Sequence, residues 1–391
     1  MSNAPIEHRE PRLTFVALEI TNFLSYKHAR FEFGELVALV GPNASGKSNL
    51  VSAIKLLREI PIHGLPIALV RRGGFDQLRH RSQGRPNDPS LRVEFRLTDK
   101  SEVSFYEIRL GAVSPRSYRV KKESAELYGV DGGKYSFESD GKRVLFTEPE
   151  FLLDGPSNVR EFPVPPGQSA LASGGYAGYI VYETLQRMQT VEINPAVVGD
   201  LQDPSSTAEF EPDGSNATSV FELLTPAVRS DLVDELAAIV PGIAKIDVQR
   251  LADKQTFRFA QTSQGKDRLF SAKQMSDGTL RAFSILLALK QPRHPALFVI
   301  EEPEVAIHLG ALRTMIDIFT QESEGSQIVI TTHSADIVDA VPIESLRVVW
   351  SENGESHVGH VADHSVTTVR SGLITQGELL RTDSLDVAET S

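Results

Sequence analysis

The apolar run LVALV at 36–40 passes directly into GPNASGKS, and NLVSAIKLLREI after it carries apolar residues at helical spacing. The pattern predicts a buried strand, a glycine-rich loop and a helix. Upstream, FVALEITNF and ARFEF read as strands. Downstream, LRVEFRL, VSFYEIRL, SYRV and KYSFES alternate apolar and polar positions, with DGGK and SDGK as turn signals, which predicts an antiparallel sheet. From about 61 to 89 the chain is rich in Arg, Gly and His and reads as loop. The stretch 148–217 is heavy in Pro, Gly and Ser around one helical piece, YIVYETLQRM. VFELL and VRSDLVDELAAIV predict helices, and IDVQRL and TFRFAQT predict strands. QMSDGTLR heads the apolar run AFSILLAL, a helix expected to end near Pro292. ALFVI and SQIVITT read as buried parallel strands with the helical LRTMIDIFTQ between them. The last forty residues predict two short strands and a helical tail. Neither an internal repeat nor a sustained heptad is present, so no long coiled-coil arm is expected.

Composition narrows the class. A chain of 391 residues with 40% hydrophobic residues holds a sizeable core, and its length suggests two or three domains. A net charge of −12 argues against a general nucleic-acid coat. The absence of cysteine excludes disulfides, thiolate zinc sites and cysteine nucleophiles. With neither a signal-like start nor an apolar run near the roughly 20 residues of a membrane helix, a soluble, cytoplasmic protein without a membrane partner is expected.

The chemistry concentrates in a few places. Gly41 to Ser48 match the phosphate-loop pattern G-x-x-x-x-G-K-[ST] between a strand and a helix. Backbone amides of Asn43, Ala44, Ser45 and Gly46 would cradle phosphates, Lys47 would reach the β- and γ-phosphates, and Ser48 would offer a hydroxyl to Mg²⁺, with Asn49 beside it. ALFVI ends in Glu301-Glu302-Pro303-Glu304. Glu301 is assigned to the metal and Glu302 to the general base that polarises water. SQIVITTHS delivers His333 at the end of the next strand, where it would approach the γ-phosphate. Ser276 and Gly278, at a helix start, form a second anion-ready terminus, for which a plain Ser cap is the competing reading.

Phosphate loop, long insertion, SDGT before a helix, EEPE after a strand and then TTHS: this order resembles the ABC-type ATPase heads of the SMC, RecF and OLD group. The match is closest to stand-alone AAA-family ATPases of that group without a nuclease domain. It covers about 13–58 and 268–380 well, and the middle mainly through PPGQSAL and DGSNATSVF. It implies an α/β P-loop NTPase of ABC-head type, a mixed sheet with an antiparallel β subdomain and an inserted helical lobe. The expected divisions are 1–147 (phosphate loop and antiparallel sheet), 148–267 (inserted lobe) and 268–391 (signature loop, acid pair and histidine). The resemblance makes SDGT the signature loop, so that Ser276 and Gly278 reach a γ-phosphate held by a second copy. ATP and Mg²⁺ are the implied cofactors and a homodimer the implied assembly. Gln168 is the first candidate for the metal-sensing glutamine and Gln77 the second; Arg71 or Arg72 would face phosphate. Two departures stand out: Glu301 replaces the usual Asp, and His308 stands where transporters carry an Asp. The resemblance leaves DNA maintenance and phage defence both open. DNA is a candidate partner through Arg71, Arg72, Arg79, Arg81, Arg85, Arg119, Lys121 and Lys122, and a nuclease or toxin effector on a separate chain is another. Roughly sixty residues follow His333, too few for an ordinary nuclease domain. A GTPase is disfavoured because no Asn-Lys-x-Asp guanine motif is present.

Overall fold

The computed structural model describes residues 12–81, 87–114, 117–129, 132–147, 159–263, 266–382 and 385–388. Arg85, and the start of the expected inserted lobe at 148–158, lie outside the described residues. The strands are β1 (Thr14–Phe23), β2 (Tyr26–Glu32), β3 (Leu36–Val40), β4 (Ser90–Arg96), β5 (Ser104–Ser114), β6 (Ser117–Tyr128), β7 (Lys134–Ser139), β8 (Arg143–Thr147), β9 (Val159–Pro163), β10 (Met188–Val191), β11 (Ile243–Leu251), β12 (Lys254–Ser263), β13 (Lys266–Ser271), β14 (Leu297–Glu301), β15 (Gln327–Thr332), β16 (Leu346–Glu352) and β17 (Glu355–His360). The helices are α1 (Lys47–His63), α2 (Leu65–Val70), α3 (Phe75–Leu78), α4 (Gly175–Gln186), α5 (Pro195–Gly199), α6 (Ala217–Leu223), α7 (Pro226–Ile239), α8 (Asp277–Leu289), α9 (Leu309–Glu322), α10 (Ala335–Ala340), α11 (Asp363–Arg370) and α12 (Gln376–Arg381).

Two compact units emerge, each assembled from separated stretches of chain. The first comprises the described parts of 1–33, 48–188 and 351–357. Its core is an antiparallel sheet in the order β2-β1-β4-β5-β6-β7-β8-β9. Alternation along β4 (SLRVEFR) buries Leu91, Val93 and Phe95 on one face and leaves Arg92 and Glu94 on the other. On β6, Glu123 is fully buried, and its carboxylate accepts from the Tyr106 hydroxyl at 2.9 Å, the Ser169 hydroxyl at 2.5 Å and the Ala170 amide at 2.7 Å. Burial pushes this carboxyl up from its ordinary range, while the three donors act against that shift.

The second unit comprises 34–47, 189–350 and the described parts of 358–391. Its main sheet runs β10-β14-β15-β3-β16-β17. β3 lies parallel to both β15 and β16, and β14 parallel to β15. Strands covered on both faces need continuous apolar runs, which LVALV and LFVI supply. A smaller sheet, β11-β12-β13, meets α8 through Phe257 and Phe259, whose rings lie edge-on to Phe283 at 4.8 and 5.4 Å. Every residue of α8 from Gly278 to Leu289 is buried except Arg281.

The expected fold class holds, but the chain divides differently from the expected three segments. β3 and its loop join the parallel sheet of the C-terminal part rather than the antiparallel sheet, because an all-apolar strand requires neighbours that bury both faces. The expected inserted lobe is not one body. β9 extends the antiparallel sheet by pairing with β8, and α4 packs on β6, β7 and β8, whereas 189–267 belongs to the second unit. The stretch read as loop at 61–89 carries helices, because Leu65, Leu69, Phe75 and Leu78 are buried anchors at short spacing; α1 itself runs through Pro61.

Candidate functional site

The register of three strands assembles the site. Glu301 at the end of β14 lies opposite Thr331 on β15, and Thr332 lies opposite Val40 on β3. Glu302, His333 and Gly41 therefore leave the same carboxyl edge of the sheet, on strands about 4.8 Å apart. Ligands bind at such an edge in open α/β sheets.

Gly41 opens the loop with φ 150, and a Cβ there would sit 2.0 Å from the Val349 carbonyl oxygen, so β16 admits only glycine. Ala44 has a positive φ of 62. Such turns gather amides into an anion-binding concavity. Asn43 and Ala44 are exposed; Ser45, Gly46 and Lys47 are buried, and the Ser45 hydroxyl is a buried oxygen without a hydrogen-bond partner. Lys47 Nζ donates to the carbonyls of Gly41 at 2.8 Å and Pro42 at 3.0 Å. Burial lowers its pKa to about 8, against the upward pull of the Glu302 and Glu304 carboxylates. Ser48 is exposed in the first turn of α1. The Asn49 amide donates to Ser25 Oγ at 2.6 Å, which Ser356 also engages at 2.7 Å.

Glu302 adopts φ 45, a left-handed conformation that a glutamate rarely takes. Its amide donates to the Thr331 carbonyl at 3.0 Å. Its carboxylate, half exposed, stands 3.5 Å from His333 Nε2. A carboxylate and an imidazole so placed can take a proton from water and return it. Glu301 is half-buried at the strand end. Among the described residues no group of three or more His, Asp or Glu could hold a metal. The Ser48 hydroxyl and the Glu301 carboxylate are each oxygen donors of the kind Mg²⁺ takes, since it binds through one or two protein oxygens and completes its shell with phosphate and water.

Ser276 is exposed and caps α8: its hydroxyl accepts from the Thr279 amide at 3.2 Å and shares a hydrogen bond with the Thr279 hydroxyl at 2.8 Å. Gly278 is buried, and a Cβ on it would lie 1.9 Å from the Ala306 carbonyl oxygen. His308 caps α9, its Nδ1 accepting from the Gly310 amide at 3.1 Å.

The structure does not bring Gln168 to the phosphate loop. Its Oε1 lies 3.6 Å from the place of a Cβ on Gly64, just past the last residue of the 17-residue α1. Ser48 sits at the other end of that helix, on the order of 20 Å away. Gln77 is exposed on α3 and accepts from Arg81 at 3.3 Å. Arg72 pairs with Glu59 at 2.6 Å and Arg71 meets His63 at 2.8 Å.

Two residues stand in the site that sequence reasoning left without a role. Glu304 Oε1 accepts from the Thr332 hydroxyl at 2.6 Å and the His333 amide at 3.1 Å. Arg281 Nη2 donates to the carbonyls of Glu301 at 2.9 Å and Glu302 at 3.1 Å. The signals were available: a third acid in EEPE, and a lone cation on an apolar helix.

Comparison with known proteins places this geometry. The crystal structure of an SMC head bound to the C-terminal winged-helix domain of ScpA aligns with a TM-score of 0.59 at 13% identity, covering 91% of this chain and 99% of that one. An Smc head domain with an extended coiled coil from Pyrococcus furiosus, bound to the C-terminal domain of ScpA, gives 0.59 at 11% identity over 92% and 99%. The Pyrococcus yayanosii Smc head with a coiled coil and joint gives 0.51 at 12% over 92% and 99%. The fold is that of SMC ATPase heads. No curated protein matches the sequence. The sequence profile of the family described as "AAA domain, putative AbiEii toxin, Type IV TA system" matches residues 36–339, and the chain belongs to this family of AAA-type ATPases.

Proposed function

We propose that this protein binds and hydrolyses ATP with Mg²⁺, and that two copies close head to tail around two nucleotides. The observation that carries the reading is the Glu302–His333 pair, 3.5 Å apart at the sheet edge from which the Lys47 loop also leaves. Water attacks the γ-phosphorus in line, its proton passes to the Glu302 carboxylate, and the bond to the bridging oxygen of ADP breaks. His333 orients the water and the γ-phosphoryl oxygens. Lys47 lies over the β- and γ-phosphates and offsets their charge. Ser48 and Glu301 are the residues that would hold Mg²⁺, which supplies charge neutralisation to the phosphates. Ser276, exposed at the start of α8, would meet the γ-phosphate bound by the second copy. Gly278 contributes by letting α8 approach the loop after the acids.

Replacing Glu302 by Gln keeps the shape and removes the base. We expect ATP turnover to fall on the order of a hundredfold or more with nucleotide binding retained. Turnover at the parent rate would overturn the assignment.

A second reading concerns the pathway. The family's description names a type IV toxin–antitoxin system. That favours a cytoplasmic regulatory ATPase acting with an effector on another chain, in phage defence, over a DNA repair clamp. Charge supports the same preference. Arg79 pairs with Asp76, Lys121 with Asp88 and Lys122 with Glu107, so much of the basic stretch is neutralised within the first unit. Duplex DNA retained at physiological salt, with affinity falling steeply as salt rises, would reverse it.

A further inference from the structure

We propose that Arg281 is a positioning residue that holds Glu302 in its working conformation and ties that conformation to helix α8. This rests on the reading of Glu302 as the base. Arg281 is the one residue between Gly278 and Leu289 that is not fully buried. A guanidinium on an otherwise apolar, enclosed helix is costly unless its donors are engaged. Its Nη2 is engaged by two consecutive carbonyls, those of Glu301 and Glu302, at 2.9 and 3.1 Å.

Those carbonyls belong to a turn with two non-glycine residues at positive φ. Glu302 has φ 45 and Ala306, at the end of the same turn, has φ 64, conformations that persist in non-glycine residues only when the surroundings fix them. The surroundings here come from two sides. On one, β15 receives the Glu302 amide, and Glu304 receives the Thr332 hydroxyl and His333 amide. On the other, α8 supplies Arg281 to the carbonyls and presses Gly278 against Ala306. The charge of Arg281 faces the carboxylates of Glu304, Glu302 and Glu192. A displacement of α8 therefore reaches the Glu302 backbone through one side chain, and the carboxylate–His333 distance follows from it. The Arg281 hydrogen bonds fall on the turn after β14 and not on the phosphate loop. Removing Arg281 should lower the rate of the chemical step and leave nucleotide affinity in place.

The test is a cycle of variants: parent, Arg281→Gln, Arg281→Lys, Glu302→Gln and the double variant Arg281→Gln/Glu302→Gln. Each is measured for kcat, KM for ATP, affinity for a non-hydrolysable ATP analogue and Tm. We expect Arg281→Gln to lower kcat at least tenfold with analogue affinity within twofold. Arg281→Lys, which keeps a donor for one carbonyl, should recover part of the rate. The double variant should be no slower than Glu302→Gln alone, because a residue that acts through Glu302 has nothing left to position. Parent-like kcat in both single Arg281 variants would overturn the proposal. So would an equal loss in the parent and Glu302→Gln backgrounds, or a fall in analogue affinity that matches the fall in kcat. Should Arg281→Gln prove unstable by Tm, the same comparison is made with Arg281→Lys in both backgrounds. Parent turnover in Glu302→Gln would instead sink the base assignment itself, and that result is read from the single variant alone.

Discussion

Lys47 shows how one residue's burial becomes a solution property. Its ammonium is held in the protein with a pKa of about 8, below the ordinary lysine value of 10.5, because burial disfavours charge. Between those two values the unfolded chain binds more protons than the folded one. Stability from this group therefore rises as pH climbs from about 8 towards 10.5, and below 8 the folded state carries the full cost of the buried charge. A phosphate beside the ammonium acts the other way and restores the proton. Calorimetry of an ATP analogue at pH 8.5, in two buffers of different ionisation enthalpy, should register uptake of about half a proton or more by the parent and none by Lys47→Met. Equal proton counts for both would show that Lys47 does not face the phosphates. Glu302 and His333 were legible in the sequence for a simple reason: each directly follows an apolar strand, and a buried parallel strand ends at the ligand edge. Gln168 was misjudged because PPGQSAL fixes a turn without saying against which end of α1 it folds. Glu304 and Arg281 were visible as residue types, but their partners, a hydroxyl and an amide at the end of the next strand for Glu304 and two carbonyls for Arg281, are set by tertiary pairing that no residue pattern names.

At the scale of elements, α8 and the loop after β14 are fitted to each other at Gly278. A Cβ there would overlap the Ala306 carbonyl oxygen at 1.9 Å, and backbone cannot swing aside as a side chain can. Gly278→Ala should cost about 2 kcal/mol in a urea titration. A midpoint within error of the parent would show that the two elements are not in contact. In the first unit, Glu123 ties the 169–170 segment to β6. Glu123→Ala strands the Ser169 and Ala170 donors and should cost about 3 kcal/mol. Glu123→Gln should be milder and should carry a pH signature. The Glu123 carboxyl is raised in the folded state by burial, so the stability its proton supplies is full below 4.5 and is lost as pH rises through the folded value. Urea midpoints of the parent should therefore decline relative to Glu123→Gln as pH increases from 4.5 to neutrality; a constant difference would place the carboxylate in water. The strands β3, β14 and β15 and helix α8 followed from apolar patterning, since each is enclosed on all sides. The short helices α2 and α3 did not, because a few buried anchors among Arg and Gly leave no periodicity to read.

At the scale of the whole molecule, the chain builds two units from interleaved stretches, and this interleaving was hidden from the sequence. Composition shifts near 148 and 267 mark changes of local character. Strand pairing decides which unit a segment joins, and pairing partners more than a hundred residues apart leave no local trace; β3 and β15 are such a pair. Among the described residues no helix is long and apolar enough to cross a membrane. On the proposed mechanism the pair of copies, not the single chain, is the unit that hydrolyses ATP. The most direct measurement is the solution mass of Glu302→Gln by light scattering, with and without Mg²⁺-ATP, beside the same variant carrying Ser276→Arg. We expect the mass to double with ATP, because nucleotide is held and not consumed, and to stay single with Ser276→Arg, whose side chain obstructs the exposed start of α8. A mass indifferent to ATP in Glu302→Gln would contradict the shared site and return Ser276 to the role of a helix cap.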